Sequence, residues 1–440
     1  MSLISTHIPL ISLSDKKNCA ILNSETLSNL TIKSNLMRSI TLTALLLTIL
    51  TAAETIYSQS AIMPSGSSLS RSNSAPRMSG ESKLGGDPLN VGPVTLRAGS
   101  YYRYISNANL RSQPGTLSDT SLSEMGLVFD GELGERGSLY YSPRWSDYSS
   151  SAFGNQFSHE FGGKIGNDGT MNIGGWDFEI QPFYSNQHRI LTETAQLTET
   201  EDLGLGITGQ YRLNSATSIG LGTDYSLKDS EGFNSRENHS YKAFFTRTVG
   251  NTVNTTLGYS DGRDKTNTNF DADYNQISVG VDYQPSEYLY FSAIIGQQER
   301  SFNIIGSEDL DSAVHSLRVN FTPLEFTTVS IRSNNSISAS LFENQTSDNE
   351  SLSVFLNQRL LGFIDLSLGL GKTEYSLLAA NQSNQESRSD SYDFFDARVS
   401  AEVIRRLSLS VFYRDQENDS SISLYGFSGD QYGVSVFFSF

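Results

Sequence analysis

Cysteine, histidine and long apolar runs are scarce in this chain, and each shortage removes a class of function. The one cysteine, Cys19, lies ahead of the main apolar stretch. The chain beyond residue 60 therefore has no disulfide, no thiol nucleophile and no cysteine-ligated metal. Four histidines follow: His159, His188, His239 and His315. None stands at metal-ligand spacing from another. None has the motif neighbours that mark a hydrolase, although serine is plentiful. No glycine-rich loop precedes a helix, and no helical periodicity is visible beyond the apolar stretch. No cofactor, metal site or catalytic centre is expected. Basic residues are also short, 31 Lys and Arg against 48 Asp and Glu, for a net charge of −17. That balance argues against a nucleic-acid partner and suits the aqueous face of an envelope protein.

The longest apolar run, residues 40–50, is about eleven residues, too short for the ~20 that a helix needs to span a bilayer. Arg38 precedes it, and Thr51, Ala52 and Ala53 follow, then Ser58, Gln59, Ser60 and Ala61. This is the layout of a secretory signal peptide over 37–60, with Met37 as its natural start. Residues 1–36 then read as an upstream extension from a misplaced start. Residues 61–92, rich in Ser, Gly, Pro and Asn, read as a flexible periplasmic leader. That leaves no room for a folded plug domain before residue 93.

From Val94 onward the chain alternates apolar and polar residues, breaks, and alternates again. Clear stripes are Leu203-Leu205-Ile207, Ile277-Val279-Val281-Tyr283, Ile364-Leu366-Leu368-Leu370 and Leu407-Leu409-Val411-Tyr413. Period two gives strands with one apolar and one polar face. About eighteen stripes can be counted, each near the 9–11 residues that a tilted membrane strand needs. The breaks alternate short and long. Short ones include 250–251 and 361–362; long ones include 185–201, 333–350 and 415–430. Tight turns on one side and long loops on the other describe a membrane barrel with periplasmic turns and extracellular loops. A soluble sandwich or propeller shares the composition but has no reason to segregate loop length. The predicted fold is thus an all-β, antiparallel up-and-down transmembrane barrel of about 18 strands (16–18) over 93–440.

The chain ends on Tyr432, Val434, Val436, Phe438 and Phe440, alternating with small polar residues. This strand resembles the C-terminal strand of Gram-negative outer-membrane β-barrels, which implies that it is the signal read by the barrel-assembly machinery. Length, polar leader, acidic Tyr/Ser/Asn-rich strands and terminal Phe440 together resemble the β-barrel porin-2 type of outer-membrane protein. The resemblance implies passage of small hydrophilic solutes through the bacterial outer membrane, without catalysis. The alternative is a barrel serving exopolysaccharide secretion or envelope structure. Monomer and homotrimer both fit.

With the apolar stripe toward lipid, the opposite parity lines the lumen. It carries Asp177, Glu179 and Asp224, and in the last third Arg318, Arg332, Arg359, Arg398 and Arg414. Opposed acidic and basic walls would set a transverse field; mutual neutralisation is the alternative. The third long loop, 185–201, occupies the place where general porins fold a loop inward. Glu193, Glu199 and Glu201 are its candidate constriction carboxylates.

Overall fold

The computed structural model describes residues 88–106, 120–149, 154–166, 171–191, 196–268, 271–303, 307, 309–342, 345–379 and 385–440. The expected upstream extension, signal peptide and all but the end of the leader lie outside the described residues.

Eighteen long strands alternate in direction. The first six are β1 Val94–Ser106, β2 Leu122–Glu132, β3 Gly137–Tyr148, β4 Asn155–Ile165, β5 Trp176–Leu191 and β6 Gln196–Asn214. The next six are β7 Thr217–Ser230, β8 Arg236–Val249, β9 Val253–Thr266, β10 Ala272–Ser286, β11 Leu289–Phe302 and β12 Leu310–Leu324. The last six are β13 Thr327–Ala339, β14 Gln345–Leu360, β15 Ile364–Ala379, β16 Gln385–Ile404, β17 Leu407–Ser420 and β18 Phe427–Ser439. Each pairs antiparallel with its sequence neighbours. β18 closes on β1, from Gly99 opposite Ser439 to Ser106 opposite Tyr432. The Phe440 N–H donates to the Ala98 carbonyl at 2.9 Å. A closed ring leaves no bare strand edge, as backbone in hydrocarbon requires.

The alternation becomes inside and outside. Leu221, Ile277 and Ile295 are 57%, 58% and 65% exposed on the outer wall. They belong to a continuous apolar belt, the surface that a barrel presents to lipid. The belt has a sharp upper limit. Above Tyr259 the outer face of β9 continues with Asp261, Arg263 and Lys265. On β10 it passes from Ile277 to Asn275 and Asp273, and on β11 from Ile295 to Gln297 and Glu299. The same strands thus leave the membrane and continue as a wall in water.

Here the fold departs from the expectation. The strands run from 11 to 20 residues rather than 9–11, and much of the expected long loops from residue 185 onward is strand. Ladder hydrogen bonds join backbone groups, so pairing continues past the apolar stretch wherever polar residues stay extended. The segment 185–201 is one case: β5 reaches Leu191 and β6 begins at Gln196. The leader also changes at its end. Leu89–Val91 is a short strand that folds back on Val94, Thr95 and Leu96.

Candidate functional site

Strand alternation gives Asp177, Glu179, Asp224, Arg318, Arg332, Arg359, Arg398 and Arg414 the parity opposite to the apolar belt. Five of these have a cross-strand partner of opposite charge. Lys164 lies 2.8 Å from Glu179, and Arg212 lies 3.5 Å from Asp177. Lys242 pairs with Asp224, Arg359 with Asp365 at 3.0 Å, and Arg414 with Asp396 at 2.6 Å. Local neutralisation, rather than two opposed walls, is the arrangement of most lumen charges.

Three arginines break it. Among the described residues Arg318, Arg332 and Arg398 have no ion-pair or hydrogen-bond partner. Arg318 and Arg332 stand directly opposite each other on β12 and β13. The Arg332 guanidinium lies 5.9 Å from the Phe355 ring centre, and that of Arg398 lies 5.7 Å from Phe412. Phe355 in turn packs 6.4 Å from Phe394.

Of the expected constriction segment 185–201, the structure describes 185–191 and 196–201. Glu193 lies outside the described residues. Glu199 and Glu201 are on β6 with the parity of Leu203 and Leu205, on the outer face. Glu199 accepts a hydrogen bond from Asn186 Nδ2 at 2.8 Å and lies 3.7 Å from His188 Nε2. The polar residues taken for loop keep strand geometry, and the pleat turns these carboxylates away from the lumen.

A different segment crosses the mouth. The β12–β13 ladder stops at His315 opposite Asn335, although both strands continue. Beyond that point β13 pairs only with β14, and this hairpin leans inward. Its Ala339 carbonyl accepts from the Arg236 guanidinium of β8. Its Ile337 carbonyl accepts from Arg300 of β11 at 3.3 Å, and the Asn234 N–H donates to Leu341 at 3.2 Å. At the tip, Phe342 meets Phe233, between β7 and β8, edge-on at 6.0 Å. It also meets Tyr425, between β17 and β18, at 6.3 Å. The Arg388 guanidinium sits 3.9 Å from the Tyr425 ring centre and 5.7 Å from Phe342. Arg388 is held by Asp390, with its Nη2 at 2.7 Å. Strands β8 and β17 stand half-way round the ring from each other, so this contact chain bridges the opening. Sequence reasoning missed it. The available signal was a set of isolated aromatics, Phe233, Phe342 and Tyr425, in otherwise polar outer connections.

Asp348 lies on the same hairpin, opposite Ile337. Burial, its largest influence, pushes the carboxyl above the ordinary aspartate range. The closing strand carries Tyr432, Val434, Val436 and Phe438 on the lipid face, with Phe440 half exposed beyond them. The four histidines share the outer parity. His315 Nε2 lies 2.9 Å from Ser333 Oγ, but among the described residues the pair has no orienting carboxylate.

No protein-family model matches the chain, and no curated protein does. Solved barrels match at low similarity. The outer membrane protein OpdK from Pseudomonas aeruginosa is 12% identical, with a TM-score of 0.42 over 79% of this chain and 98% of that one. OccAB3 from Acinetobacter baumannii is 11% identical, with a TM-score of 0.40 over 78% and 99%. The siderophore receptor PirA from the same species is 8% identical, with a TM-score of 0.40 over 78% and 80%.

Proposed function

We propose that the chain is an outer-membrane channel for passive diffusion of small hydrophilic solutes, with a constricted outer mouth. The observation that carries this reading is the closed eighteen-strand ring with an apolar belt outside and charged and hydroxyl side chains inside. Rings of 16–18 strands enclose an aqueous lumen rather than a packed core. Charged and polar wall groups hydrate such a lumen, and pairing most of the charges keeps it from trapping ions along its length.

Residues 37–60 would direct export and 61–92 would remain in the periplasm beside the short turns. The C-terminal strand from Tyr432 to Phe440 would engage the barrel-assembly machinery. The hairpin across the mouth weighs against a conduit for a polysaccharide chain, which would need the whole opening. Stepwise conductance from the purified, folded chain in planar bilayers is the test. A heat-modifiable barrel that inserts and yet gives no conductance steps would sink the proposal.

A further inference from the structure

Resting on the channel reading, we propose that Arg318 and Arg332, with the aromatic shelf beside them, form a lumenal binding site for a small planar carboxylate.

The argument begins with cost. Like charges directly opposite on neighbouring strands destabilise a sheet, and Arg318 faces Arg332 in register. Other lumen cations, such as Lys164, Lys242 and Arg414, have a carboxylate within reach. This pair has none among the described residues, in a chain with 48 acidic residues available. Both side chains are exposed on the lumen parity. Their outward neighbours Leu317, Val319 and Ile331 belong to the apolar belt, which puts the pair at membrane depth. Ionisable groups at that depth mark solute pathways. Two guanidinium forks present parallel N–H donors, the geometry that matches a carboxylate's two oxygens.

The shelf narrows the class of anion. Phe355 stands opposite Ser330, one inward step from Arg332, and Phe394 extends the apolar surface across to β16. The strand between them supplies glycines. A Cβ on Gly369 would lie 2.8 Å from Phe355, and one on Gly371 would lie 2.5 Å from Phe394. The two rings therefore cover bare backbone and present a low apolar surface next to the charge. An anion held by its carboxylate on the arginines would lay a flat, unsaturated body on this surface. An inorganic anion would use only half of the site.

The probe is benzoate, titrated calorimetrically into the folded full chain in detergent. Saturable binding is expected, weaker for cyclohexanecarboxylate and absent for benzyl alcohol. Arg318→Gln and Arg332→Gln should each weaken benzoate about tenfold, the loss of one charge-assisted contact. Phe355→Leu should weaken benzoate more than it weakens acetate. Arg263→Gln, on the outer wall, should change nothing. Heat-modifiable gel mobility checks that each variant is folded. Unchanged benzoate binding in both arginine variants would overturn the site. Inorganic phosphate competing as well as benzoate, with no effect of Phe355→Leu, would overturn the planar-carboxylate assignment. A barrel that binds benzoate without conducting keeps the site and loses the channel; one that conducts without binding benzoate does the reverse.

Discussion

Phe342 meets Phe233 edge to face at 6.0 Å, although the two lie on connections that leave different sectors of the barrel wall. With the Tyr425 contact on its other side, Phe342 is the keystone of the bridged mouth. Edge-to-face aromatic pairs contribute about 0.5–1.5 kcal/mol each beyond burial. Phe342→Ala removes two, and should shift the balance toward an open mouth by about 2 kcal/mol, roughly thirtyfold. Single-channel conductance or open probability should rise accordingly. Identical conductance in Phe342→Ala and the parent would mean that the bridge does not limit flow.

Asp348 gives the same hairpin a pH dependence. Its carboxyl is raised by burial, so the folded-over hairpin binds a proton more tightly than the released one. As pH falls through the raised value toward the ordinary aspartate range, the folded-over form gains stability; above it, that gain is absent. Conductance should therefore drop on acidification. Asp348→Asn, which carries no titratable charge, should show low conductance at neutral pH and a flat profile.

Arg388 and Asp390 are almost wholly buried, 4% and 0% exposed at their side chains. Removing one member leaves a buried charge without its partner, a loss of about 3–5 kcal/mol. Asp390→Ala should lower the temperature of heat-modified gel migration markedly. The double change Arg388→Met with Asp390→Leu should recover much of that loss, because no charge is then stranded. A double variant as unstable as Asp390→Ala would show that the pair is held by more than charge compensation.

The barrel was legible in the sequence because closure and lipid impose period two on every strand. Ile277-Val279-Val281-Tyr283 has one solution in a membrane, and the aromatic end at Phe440 marked where the ring shuts. Strand ends were not legible. Asn186 and Glu201 look like loop residues, yet they face each other in a ladder, since backbone pairing does not depend on side-chain polarity once outside the membrane. The same blindness applies to the outer connections. Glu199 and Glu201 turned outward by parity, whereas the crossing hairpin is fixed by long-range contacts such as Arg236 to Ala339. No local pattern encodes those. The arginine pair is half visible in the sequence: alternation puts Arg318 and Arg332 on the polar face, but only the register shows them opposed.

The turn between β14 and β15 offers a stabilising change that leaves the lumen untouched. Leu361 and Gly362 sit at φ 51° and 79°, and the Phe363 N–H donates to the Leu360 carbonyl at 3.3 Å. Two positive φ values between paired strands are the signature of a type I′ turn, which favours Asn-Gly. Leucine in the left-handed region costs about 1–2 kcal/mol, and its side chain, 82% exposed, gains nothing in return. Leu361→Asn should therefore stabilise the folded barrel by about 1 kcal/mol, read as a higher urea midpoint with an unchanged slope. Conductance should stay at the parent level, because the turn lies at the end of the barrel opposite the bridged mouth. A lower midpoint would mean that the exposed leucine makes a contact outside the isolated barrel, for instance with lipid headgroups, and repeating the titration in detergent and in vesicles would separate the two.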